Sequence, residues 1–117
     1  MKIVLATEER PPFFDGWKTE EAVYHFACDT CGAKIAVGFP AMLDAAWSWR
    51  EKMKETDQIA VAQSFGINLA NRSIANGMDA VVEEVCPRCG SQHLLHFRFH
   101  EYRHSCYEIS TRAIARR

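Results

Sequence analysis

The chain has 117 residues, a formal net charge of −1, 48% hydrophobic residues and 25% charged residues. These values fit one ordinary globular domain and argue against a disordered chain, a polybasic histone-like protein and a two-lobed enzyme. No run approaches the roughly 20 apolar residues that span a bilayer, and Met1–Ala6 is too short for a secretory leader, so a soluble cytoplasmic protein in a reducing compartment is expected.

In chain order, Lys2–Ala6 reads as a short strand and Thr7–Lys18 as a loop punctuated by Pro11-Pro12 and Asp15-Gly16. The loop carries Phe13, Phe14 and Trp17, which either fold back as a lid on the core or form an exposed patch for a protein partner. Glu21–Cys28 alternates as a strand, with Ala22, Tyr24 and Phe26 on one side, and Lys34–Phe39 is its Ile- and Val-rich return. Pro40 suits the first turn of a helix over about 41–55, whose stripe is Met42, Ala46, Trp49 and Met53, widened by Leu43 and Trp47. Both tryptophans are expected in the core. Asp57 is expected to cap a second helix carrying Ile59, Ala62, Phe65 and Leu69. Asn76-Gly77 marks a turn, and Ala80–Val85 and Leu94–Tyr102 read as strands. The last dozen residues fit a strand or a short helix equally well.

Two segments match each other, Cys28-Asp29-Thr30-Cys31-Gly32 and Cys86-Pro87-Arg88-Cys89-Gly90. Two cysteines three apart in a tight turn can aim both sulfurs at one ion, about 2.3 Å away for zinc. Turn amides can donate to the sulfurs, and the following glycine can take φ > 0 as the chain leaves the turn. Four thiolates would complete a tetrahedral shell and leave no open position for water, which makes the site structural rather than catalytic. A thioredoxin-like centre at Cys86–Cys89 would need a helix N-terminus behind it, and Gly90-Ser91 starts a helix poorly. A zinc deaminase would need H-x-E and P-C-x-x-C, whereas Phe26-Ala27 follow His25 and Pro87 lies inside the pair. Cys106 is left as a free, partly buried thiol.

The two knuckles resemble the zinc-ribbon class, in which C-x-x-C-G turns on β-hairpins share one zinc. The resemblance covers about 21–39 and 80–103 and implies an α+β fold of antiparallel ribbon hairpins, with Cys28, Cys31, Cys86 and Cys89 holding one structural Zn²⁺. Fifty-four residues separate Cys31 from Cys86, where a compact ribbon has far fewer. The excess reads as an insertion of one or two helices over about 40–76, and closing so long a loop costs little extra.

His93, His96, His100 and His104 follow the second knuckle. Because Leu95, Phe97 and Phe99 alternate with His96, Arg98 and His100, the segment is a strand, and His96 and His100 stand ~13 Å apart, too far to share an ion. The histidines are therefore expected on a solvated polar face. Charge is graded along the chain: net −3 over 1–31, −2 over 32–85 and +4 over 86–117. The basic end, with Arg98 and Arg103, could meet phosphates, an acidic protein or the acidic part of its own chain. Ile59–Asn76 has some likeness to helix-turn-helix units, in which Asn68, Asn71 and Ser73 would face the groove.

No nucleophile–base pair, carboxylate dyad or phosphate loop stands out, so a non-enzyme is expected. The leading expectation is a small zinc-binding protein-interaction module, an adaptor or inhibitor of antitoxin or immunity type. The alternative is a nucleic-acid-binding regulator using the arginine-rich end.

Overall fold

The computed structural model describes residues 1–6, 8–70 and 77–117. Among them are seven strands and two helices: β1 (Lys2–Leu5), β2 (Phe14–Trp17), β3 (Val23–Ala27), β4 (Lys34–Gly38), α1 (Phe39–Lys52), α2 (Glu55–Phe65), β5 (Met78–Val85), β6 (Gln92–Arg103) and β7 (Cys106–Arg116). All pairings are antiparallel, so the α+β class holds. One sheet runs β1-β7-β6-β5, with β2 also paired to β7, and β3 and β4 form a separate hairpin.

Two stretches differ from expectation. Within the proline-punctuated loop, Phe14–Trp17 is a strand that pairs residue for residue with Cys106–Ile109. The last dozen residues form a strand, because β7 is the partner of β6 along one side and of β1 and β2, end to end, along the other.

α1 begins at Phe39 after extended Gly38, with Pro40 in its first turn, where a missing N–H costs nothing. Arg50 and Lys52 in its last turn complement the helix dipole. Met42, Ala46 and Trp49 are buried as the stripe requires, but Trp47 is 61% exposed and belongs to the outer face. α2 starts three residues earlier than expected. Lys54, not Asp57, is its N-cap residue, and Glu55 and Asp57 lie in the first turn. The helix stops at Gly66, which is left-handed (φ 71°), so Leu69 lies beyond it. The last part of the helix-turn-helix reading, residues 71–76 with Asn71 and Ser73, lies outside the described residues; Asn68 is exposed.

Directly paired residues share a sheet face. One face carries Met78, Ala80 and Val82 of β5 opposite Phe99, Phe97 and Leu95 of β6. Phe39 of α1 packs on Phe99, and Phe26 of β3 packs edge-on against His93 on this side. The other face carries Val81 opposite His96, and here Phe65 of α2 stacks on the His96 ring at 5.2 Å. The helical segment thus follows the sheet round its β5 edge, and β6 is covered on both sides.

That double cover corrects the expectation of a solvated histidine face. His93 is 0% and His96 2% exposed, whereas His100 is half-buried and His104 exposed. His96 Nε2 donates to Asp79 Oδ1 across 2.8 Å, since an ionised carboxylate only accepts. Burial pushes Asp79 upward, but the His96 hydrogen bond and the charges of His96, Arg98 and Arg112 outweigh it and hold the carboxyl below its ordinary range.

Candidate metal centre

The first knuckle is the turn of the β3–β4 hairpin and the second is the turn of the β5–β6 hairpin. Their backbones repeat each other. Gly32 N–H donates to Cys28 O and Gly90 N–H to Cys86 O, both at 2.9 Å. Cys28 N–H donates to Ala33 O at 2.8 Å and Cys86 N–H to Ser91 O at 2.9 Å. Gly32 and Gly90 share φ 77°, the left-handed value expected of the residue that lets the chain leave the turn.

The fold brings Cys28, Cys31, Cys86 and Cys89 together, with all four sulfurs within 4.8 Å of one another. Cys28 Sγ lies 3.6 Å from Cys89 Sγ, and Cys31 Sγ lies 3.6 Å from Cys86 Sγ. Each close pair therefore takes one cysteine from each hairpin. A disulfide needs about 2.05 Å, so these are free thiols. Four sulfurs at about 2.3 Å from a tetrahedral ion would be about 3.8 Å apart, close to what is seen. The donor set fits one metal ion of thiolate preference.

The surroundings favour thiolates unequally. Cys89 Sγ lies within hydrogen-bond distance of Ser91 Oγ, 3.2 Å, and of the Ser91 amide, and these contacts lower it to about 6. The amides of Cys89 and Arg88 lower Cys86. The Ala33 amide pulls Cys31 down, but burial and the other three sulfurs win and push it to about 11. Four thiols at such separations cannot all ionise without a cation among them.

Residues that the sequence did not assign to the site, among them His93 of the histidine row, bind the two knuckles to each other. The Asp29 N–H in the first knuckle donates to His93 Nε2 at 3.2 Å. Nε2 therefore carries no proton, and Nδ1–H donates to the Ser91 carbonyl, 3.3 Å away, in the second. Ser91 Oγ also lies 2.9 Å from Thr30 Oγ1. Asp29 is further held by Arg116 of β7 at 2.9 Å and Lys2 of β1 at 3.3 Å. The Arg116 hydrogen bond leads in keeping that carboxyl low, with Lys2 adding to it. A histidine three residues past a C-x-x-C-G turn, on the returning strand, is the signal that could have marked His93.

The other candidate residues scatter. Phe13 and Phe14 are half-buried, with Phe13 against Tyr24 and Phe14 edge-on to Phe39, so they belong to the lid. Trp17 does not; it is 66% exposed. It pairs with Cys106 on one side of β7, and Arg103 pairs with the same cysteine on the other. Cys106 itself is buried and accepts from Arg103 Nε at 3.4 Å. β6 separates this tip from the tetrad by eleven residue steps, ~36 Å, so Cys106 is no fifth ligand. Arg98 is exposed on β6 near neither group.

No family model, no curated protein and no solved structure matches the chain. Among the described residues, no helix is long and apolar enough to cross a membrane.

Proposed function

We propose that this protein is a non-catalytic interaction module whose two hairpins are clamped by one structural zinc, in the manner of a zinc ribbon, and that it acts as an adaptor or inhibitor of a protein partner. Zinc is the metal of choice for four thiolates in a closed shell, and such a shell offers no site for substrate or water. One observation carries the interaction reading: the strand tip exposes both Trp17, at 66%, and Tyr102, at 38%, with Arg103 6.0 Å over the Tyr102 ring. Tyr102 donates to Asp15 Oδ1 at 2.7 Å, which ties β6 to β2 at this end. Tryptophan, tyrosine and arginine are the residues enriched at binding hot spots.

The nucleic-acid reading draws less support. Arg116 is engaged by Asp29, and Arg117 by Asp57 and Glu83, so part of the basic end pairs with acidic parts of its own chain.

The test is partner capture from the native organism with the metal-loaded chain and its Trp17→Ala variant. The expected result is a protein bound by the wild type and lost by the variant at unchanged melting temperature. Retention by the variant, or capture of nucleic acid alone with a steep salt dependence, overturns the reading.

A further inference from the structure

β5 ends the main sheet. β6 pairs along one side of it, and no strand pairs along the other among the described residues. Alternate residues of an antiparallel strand turn N–H and C=O outward, so this edge carries unpaired backbone groups. α1 runs beside the edge and covers it only in part. Its Ala41, Ala45 and Trp49, with Met53 just past its end, follow at steps of four and share one side of the helix. Trp49 is buried, but the two alanines are too small to fill the space between helix and strand.

The result is a cavity of about 490 Å³ between α1 and β5. Val82 and Glu84 line it from one sheet face and Val81 and Glu83 from the other, so it lies at the strand's edge, where the backbone groups point. Four carboxylates and three cations surround it, and most are engaged with each other. Lys52 holds Asp44 at 2.5 Å, and Arg117 holds Glu83 at 3.1 Å and Asp57 at 3.3 Å. Glu84 is the exception. It is half-buried, and neither a hydrogen bond nor an ion pair reaches its carboxylate among the described residues. Lys54, the remaining cation, is the N-cap residue of α2 and forms no ion pair with Glu84. A carboxylate drawn out of water without a donor is unfavourable, and an arriving ammonium would offset that cost. The three N–H groups of a primary ammonium can divide between the carboxylate and the edge carbonyls of β5.

We propose that this cavity is a binding site for a small primary amine, with the ammonium on Glu84 and the β5 edge carbonyls and an apolar body against Trp49, Met53 and Val82. Its volume lies within the range of ligand cavities, about 300–1,000 Å³, and suits an amine carrying one ring or a short chain. The site shares no side chain with the cysteine tetrad or the Trp17 tip.

The experiment is an NMR titration of the metal-loaded full chain with phenethylamine at neutral pH, following backbone amides and the Trp49 indole N–H. Saturable shifts confined to residues 81–84 and Trp49 are expected. Phenethyl alcohol, the same body without the charge, should bind about tenfold more weakly, the factor carried by one charge-assisted hydrogen bond. Glu84→Gln should weaken the amine by a similar factor at unchanged melting temperature. The trimethylated amine, which keeps the charge but has no N–H, should also bind more weakly. Ala45→Leu, which fills the cavity from the helix side, should abolish binding. No saturable shift up to about 10 mM amine overturns the proposal, as does equal affinity for amine and alcohol, or an affinity untouched by Glu84→Gln. Equal shifts at the exposed Glu9 and Glu20 would also overturn it, as the mark of general charge pairing.

Discussion

His93→Leu removes the imidazole that joins the two cysteine turns while leaving all four sulfurs in place. The ring is 0% exposed, so a leucine of similar bulk fills its space. Two bonds vanish, the one accepted from Asp29 N–H at 3.2 Å and the one donated to Ser91 O at 3.3 Å. Each deprived group costs about 1–3 kcal/mol when no other partner reaches it. Asp29 is only half-buried, so water can relieve its amide, the Ser91 carbonyl keeps the Cys86 N–H at 2.9 Å, and both lost bonds are long. The expected loss is therefore about 1–2 kcal/mol in total. Because the deprived groups flank Cys28 and Cys89, the same change should weaken metal affinity by about 10–100-fold, the range seen when outer-shell partners are removed. Urea unfolding of the metal-loaded protein gives the first number, and competition against a chromophoric chelator gives the second. Unchanged stability together with unchanged metal affinity would refute the idea that His93 locks the two turns.

Three further outcomes follow from particular contacts. Asp79 is held below the ordinary carboxylate range in the folded chain, so its contribution is present above that range and is lost as pH falls from there through its own lowered value; Asp79→Asn should flatten the acid limb of a stability–pH curve. Gly90→Ala places a Cβ at φ 77° and should cost about 1–2 kcal/mol by thermal unfolding, although nothing lies within 4 Å of the added atom. Phe14→Ala should destabilise by about 2 kcal/mol, because its ring packs edge-on against Phe39, whereas Trp17→Ala should leave the melting temperature nearly unchanged. Equal effects of the last two would contradict the division of the loop into lid and exposed tip.

The tetrad was legible because its signal is local. Two C-x-x-C-G turns each specify their own hydrogen-bond pattern and left-handed glycine, and the fold had only to bring the turns together. α1 was legible for the same reason, through the spacing of Met42, Ala46 and Trp49. What the sequence concealed depends on distant partners. Phe14–Trp17 is a strand only because Cys106–Ile109 lies beside it, and prolines and an Asp-Gly pair masked its short pattern. The C-terminal strand is fixed by pairing with β6 on one side and with β1 and β2 on the other.

The histidine row misled for a subtler reason. Alternation of His and Phe normally marks a strand with one wet face. Here Phe65 of α2 caps the His96 side, while Phe26 of β3 closes over His93 on the other, so both faces are dry. Each buried imidazole answers to a polar partner, Asp79 or the knuckle backbones, and those partners come from segments that periodicity cannot bring together. Trp47 shows the opposite failure, since apolar spacing placed it in the core while the helix turns it to solvent.

The most direct test of the metal centre is X-ray absorption at the metal edge on protein purified without added metal, combined with elemental analysis. The account predicts about one zinc per chain with four sulfur neighbours at about 2.3 Å, and loss of the fold when Cys86→Ser breaks the shell. A metal-free chain that unfolds cooperatively at the same temperature with and without zinc would contradict it.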